Sequence, residues 1–165
     1  MAWKRTLRHL FTDQWSVRRA FPPSALRAIG NAISEQEKRH GGELRFAVEA
    51  SLPVLRLWRG QTARSRAIEL FGLLRIWDTE HNSGVLIYLL LADKRVEIVA
   101  DRGVHARVGE ANWKAICHEM QRAFADGHFE KGVDSGIVAI SDLLAMHYPP
   151  VDSRSNELPN EPVIL

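Results

Sequence analysis

Oxygen-bearing side chains gather around one apolar segment of this 165-residue chain. Asp78, Glu80 and Asn82 lead into the run Gly84–Leu91, Asp101 closes the β-branched run Arg95–Asp101 with Arg102 after it, and Asp93 stands at the reversal between the runs. Oxygen donors at alternate positions such as Asp78, Glu80 and Asn82 suit a hard cation, Ca²⁺ or Mg²⁺. The match to an EF-hand loop is incomplete, because Ser83 stands where the turn glycine belongs and Leu89 where the bidentate glutamate belongs. If the two runs fold back as a hairpin, Asp101 falls beside Val85, and Asp93 and Asp101 lie ~20 Å apart, at opposite ends of it. One end then collects Asp78, Glu80, His81, Asn82, Asp101, Arg102 and His105, and the other collects Asp93, Lys94 and Ser51. Carboxyl ends of parallel strands are the usual ligand position in open α/β sheets, which favours the Asp93 end. Residue chemistry favours the Asp101 end. The plainer alternative is that Asp101 caps a turn and pairs with Arg102 or Arg107. His81 and His105 can meet at the open end of the hairpin as a base, but no Ser or Cys nucleophile stands at a matching spacing.

Other patterns fail on a single residue. His118-Glu119 begins a zincin-like helix, yet Arg122 occupies the position of the second metal ligand. The segment Gly132–Gly136 misplaces its serine for a nucleophile elbow. There is no Walker loop or Rossmann glycine pattern. With Cys117 alone, neither an internal disulfide nor a cysteine zinc cluster can form.

The elements that must position these residues follow from hydrophobic period. Val-Leu-Ile-Tyr-Leu-Leu-Leu over 85–91 reads as a strand covered on both faces, and 95–101 as its antiparallel partner. Residues 44–50 alternate as a further strand, with a last short one possible over Val54–Trp58. Thr62–Trp77 repeats Ala63, Ala67, Leu70, Leu74 and Trp77 at helical spacing. Helices also read from Ser24, as its N-cap, to the glycines at 41–42, from Glu110 to Gly127, and from Glu130 to His147. Strand 44–50, helix 62–77 and strand 84–91 form a βαβ unit, so its strands run parallel. The fold class expected is α/β, a small mixed β-sheet sandwiched between helices.

Residues 1–20 begin with a short amphipathic helix, Trp3, Leu7, Leu10 and Phe11 on one face and Lys4, Arg5, Arg8 and His9 on the other. It suits packing on the domain, an anionic membrane surface, or a membrane-protein partner. Residues 21–148 form the domain, and 149–165, rich in Pro, Ser and Asn, read as a disordered tail. Residues 1–75 carry 14 Lys+Arg against 6 Asp+Glu, and residues 76–165 carry 8 against 14. The basic half has no stacking platform or helix-turn-helix, so no nucleic-acid partner is expected. Neither a signal peptide nor an apolar run of membrane-spanning length is visible, which predicts a cytoplasmic protein.

The residues Arg64–Phe71, Trp77–Val104 and Trp113 together resemble the TPM domain. The likeness covers roughly Leu26 to Tyr148. It implies an α/β sandwich, Ca²⁺ binding in some members and acid phosphatase activity in others. Asp93 matches an aspartate usual at the family's hairpin turn, whereas Asp101-Arg102-Gly103 replaces a common Gly-Tyr-Gly turn and matches only the short soluble branch. The family's usual leader and membrane anchor are not expected in this chain. A binding or accessory module is the expected function, with a divalent cation as its expected cofactor. A metal-assisted phosphatase using Asp93 or Asp101 is the alternative.

Overall fold

Strand β1 (Glu43–Glu49) is buried along its whole length, and so is β2 (Gly84–Leu90). Strands with no face left for water need a layer of helices on each side. The computed structural model describes residues 2–150 and 156–165 and supplies both layers. Strands β1 and β2 pair in parallel, and β2 pairs antiparallel with β3 (Arg95–Ala100). With β4 (Val163–Ile164) beside β1, the order is β3-β2-β1-β4. This is the mixed sheet between helices that the periodicity predicts.

Eight α-helices are described: α1 (Ala2–Phe11), α2 (Gln14–Ala20), α3 (Pro23–Glu37), α4 (Val54–Trp58), α5 (Ala63–Leu73), α6 (Arg102–Val108), α7 (Glu110–Ala125) and α8 (Phe129–His147). Alternation along the strands sends their side chains into two cores. Phe46, Val48, Ile87 and Leu89 meet α3, α7 and α8 through Ile33, Phe124 and Ile137. Ala47, Leu86, Tyr88 and Leu90 meet α5 through Ala67 and Leu70.

Several expectations are corrected. Residues 54–58 are helical rather than a strand, since Pro53 sets the extended entry to a helix turn. Helix α3 starts on Pro23 with no side-chain cap from Ser24, proline being suited to the first turn. Helix α5 stops at Leu73, because Arg75 turns left-handed at φ 53 and points Ile76, not Trp77, into the core. The hairpin turns through a 3-10 turn at Leu91–Asp93, pairing Leu90 with Arg95. The register is therefore one residue off the expected one, and Asp101 lies opposite Gly84 rather than Val85.

The expected disordered tail is ordered over residues 156–165. Leu158 is buried, its N–H donates to the Glu43 carboxylate, and the Arg45 guanidinium donates to the Pro159 carbonyl. Leu165 exchanges backbone hydrogen bonds with Val48 and Ala50, adding a strand where a sheet edge would lie open. Composition gave no sign of it because the apolar anchors are few and the strand is only two residues long. Residues 151–155 of the expected tail lie outside the described residues.

The start of β2 depends on a close backbone approach, since a Cβ on Gly84 would overlap the carbonyl of Ile76. Gly84→Ala is accordingly expected to destabilise the fold by about 2 kcal/mol, the scale of an overpacked core. Urea unfolding measures this, and an unshifted midpoint would contradict it.

Candidate functional site

The carboxyl ends of β1 and β2 hold a ladder of ion pairs. The Glu49 carboxylate receives Arg66 Nε at 2.9 Å and Nη2 at 3.0 Å, and the Tyr88 hydroxyl donates to it at 2.7 Å. Arg66 extends to Glu69 at 3.0 Å, which also accepts from Arg56 and Gln61. Burial works against the Arg66 charge, yet its bonds to Glu49, and then Glu69, hold the guanidinium above its usual range. Burial, reinforced by Glu49, pushes the Tyr88 phenol well up, which leaves it a donor and a poor nucleophile at neutral pH. The ladder fastens α5 and α4 to the sheet, and its acceptors are engaged.

Asp93 lies beside this ladder. Arg5 Nε stands 2.9 Å from Oδ2, Arg8 Nη2 3.1 Å from Oδ1, and His9 Nε2 3.2 Å from Oδ1. The His9 contact is off the ideal hydrogen-bond line. Arg5 also donates to the Gln61 carbonyl at 3.1 Å. His9 is 3% exposed, and its Nδ1 accepts the Leu52 N–H at 2.9 Å. An accepting Nδ1 requires the ring proton on Nε2, facing Asp93. Burial lowers the His9 pKa first and Asp93 raises it, while Arg5 and Arg8 lower it, for a net fall below the ordinary 6.5. A carboxylate met by two guanidiniums is poorly placed to hold a divalent cation as well. The expected metal ligand is therefore the seat of helix α1.

This seat inverts α1. At about 100° per residue, Trp3, Leu7 and Leu10 centre on the side opposite Arg5 and His9. The polar side faces the domain. The apolar side faces out, with Trp3 72%, Leu10 60% and Phe11 82% exposed. Helix α2 adds exposed Trp15 with Arg19 over its ring, and α4, packed against α1, adds exposed Leu55 and Trp58. Lys4 and Arg8 flank the stripe, and residues 1–20 carry five Lys and Arg against one Asp.

The Asp101 end does not assemble. Asp101 Oδ2 accepts the Gly84 N–H at 2.9 Å while its own N–H donates to the Gly84 carbonyl. Burial pushes its pKa up against that bond. Asp78 pairs with Arg75, the Glu80 N–H donates to Glu157, and His81 and Asn82 are exposed. Arg102 is exposed on α6, and His105 lines a different hollow with Trp113, Cys117 and His118. Arg107 donates to the His147 carbonyl and lies over Tyr148 rather than pairing with Asp101. Among the described residues no three His, Cys, Asp or Glu side chains gather in a metal-holding group. The sequence does not mark Glu49 and Arg66 as partners, and it marks Arg5 and His9 only as the polar face of a helix. Arg5, Arg8 and His9 on one helical face were the available signal, but a wheel does not say which face packs.

Asp93→Ala strands Arg5 and His9, so a loss of about 2 kcal/mol is expected, together with faster amide exchange throughout α1. Unchanged α1 exchange would rule out the clamp. His9 adds a pH dependence. Its native pKa lies below 6.5, so the unfolded chain takes up the proton first. This contribution to stability is present above pH ~6.5 and is lost as the pH falls through that value toward the native pKa. His9→Gln should remove that part of the profile.

The TPM domain profile matches residues 18–143, a segment that begins within α2 and leaves α1 outside it. A search of curated proteins finds no match. The NMR structure of the BA42 protein from the psychrophilic bacterium Bizionia argentinensis superposes with a TM-score of 0.77 at 28% identity, over 88% of this chain and 95% of that one. The solution NMR structure of the N-terminal domain of a P. gingivalis protein gives 0.63 at 15% identity, over 81% and 83%, a likeness of fold alone. With more than half of its length matched by the family profile, the chain belongs to the TPM domain family.

Proposed function

We propose that this TPM-domain protein is an accessory binding module that seats the outward face of α1 on an anionic membrane surface. The carrying observation is the inversion of α1, whose apolar stripe points away from the domain while its polar side is clamped to Asp93. Exposed Trp, Leu and Phe beside Lys and Arg are the composition of helices that lie in a bilayer interface. Tryptophan in particular favours the headgroup level. Burying Leu10 and Phe11 would contribute about 1.5–3 kcal/mol each as an upper range. Each nearby cation would add about 1 kcal/mol over an anionic leaflet. The carboxylates that hydrolysis or a cation would use are instead tied to Arg5, Arg66 and the backbone of Gly84. The reading therefore rests on surface recognition rather than on a reaction.

Co-sedimentation with vesicles containing phosphatidylglycerol measures it. The wild type is expected to bind, more weakly at high salt because surface charge is screened. Trp3→Ser/Leu10→Ser is expected to reduce binding at least tenfold while leaving the melting temperature nearly unchanged, since both side chains point to solvent. Equal sedimentation of the variant would refute the proposal. So would a dimer whose dissociation by the same substitutions shows that a second copy covers this face.

A further inference from the structure

On the flank of α1 that turns toward α2 and the hairpin lies a groove of about 800 Å³, a size that suits a small ligand. Leu7 and Phe11 of α1 line it together with Phe129, the first residue of α8. Leu91 and Ala92 of the hairpin turn, both buried, add apolar surface. The charged side chains that line it are Arg8, Arg19 and Lys94, with no carboxylate among the lining residues. Three other hollows on the described surface mix both signs: Glu119 with Arg122, Glu130 with Lys131, and Glu97 with Arg95. A groove of one sign with an apolar lining is selective for a ligand that is anionic at one end and apolar at the other.

We propose that this groove binds an anionic phospholipid, its phosphate held by Arg8, Arg19 and Lys94 and its acyl portion lying along Leu7, Phe11 and Phe129. The inference rests on the membrane reading and deepens it, turning a surface that touches a bilayer into one that selects its lipid. Among the described residues, two of the cations have no carboxylate partner. The Arg19 guanidinium lies over the Trp15 ring, and Lys94 makes no ion pair among the described residues. Lys94 also occupies a left-handed turn position, φ 48 and ψ 37, where glycine would be less strained. From that turn Lys94 lines the groove, opposite no acidic lining residue. Arg8 contributes while bound to Asp93, so the head of the ligand meets a guanidinium already fixed in place.

Calorimetric titration of the full chain with dihexanoyl-phosphatidylglycerol, dihexanoyl-phosphatidylcholine (both below their micelle concentrations) and inorganic phosphate tests the site. Binding of the phosphatidylglycerol at least tenfold tighter than either other probe is expected. Equal binding of the phosphatidylcholine would overturn the charge selection, equal binding of inorganic phosphate would overturn the acyl contact, and no binding would overturn the site. Lys94→Gly is expected to raise the melting temperature, as turn strain is relieved, and yet to weaken phosphatidylglycerol binding at least fivefold. Arg19→Gln is expected to weaken it by a similar factor. Unchanged affinity in both variants would overturn the proposal. Neither Trp3 nor Leu10 lines the groove. Trp3→Ser/Leu10→Ser should therefore keep the soluble lipid while losing vesicles, and the groove and the docking face fail separately.

Discussion

The arrangement of the N-terminal surface depends on one carboxylate, that of Asp93. Left to hydrophobicity, α1 would lay Trp3, Leu7 and Leu10 on the domain and leave Arg5 and His9 in water. A carboxylate at the hairpin turn, only 13% exposed, reverses that preference because it would otherwise be buried with its charge uncompensated. Arg5 answers one oxygen, while Arg8 and His9 answer the other. Packing the apolar face inward would gain a few kcal/mol from area, but it would strand Asp93 and leave the Leu52 N–H without its acceptor. The electrostatic requirement wins, and the apolar face is what remains outside.

The clamp is stiff because its base is stiff. Asp93 sits in a turn whose ends are fixed by β2 and β3, and Arg5 is tied as well to the carbonyl of Gln61. Gln61 in turn holds Glu69, and Glu69 meets Arg66, which reaches Glu49 and Tyr88 within the sheet. Hydrogen bonds thus run continuously from the centre of the sheet to the first helix. Such a network is expensive to leave half made, which explains why so many charged groups at the carboxyl ends of the parallel strands are engaged with each other. The position that open α/β sheets commonly use for ligands is used here to mount a helix.

How much of this was legible in the sequence differs by element. The unbroken apolar run of β2, the alternation of β1 and the stripes of α7 and α8 each admit one packing, and the mixed sheet follows from them. The hairpin register was read one residue off because the 3-10 turn at Leu91–Asp93 is set by its backbone, with Lys94 left-handed, and not by a glycine that periodicity would flag. Strand β4 went unread because its two residues carry no period, and the grip of Glu43 and Arg45 on the chain at 158–159 is a long-range fact. The aspartates were legible as candidates but not as a site. Whether a carboxylate meets metal or arginine depends on which side chains fold against it, and Arg5 is 88 residues from Asp93.

Inversion also decides what the surface can do at low energetic cost. A free amphipathic helix must order itself on reaching a partner, and a segment of ten residues is marginal alone in water. Here the ordering is already met within the domain, so contact with a partner loses little further backbone entropy. The same clamp fixes Arg8 beside the groove, so that one side chain belongs to both the clamp and the groove. Any anion that engages Arg8 acts on a group already bound to Asp93, and by linkage the clamp and the ligand must stabilise or weaken each other to the same degree.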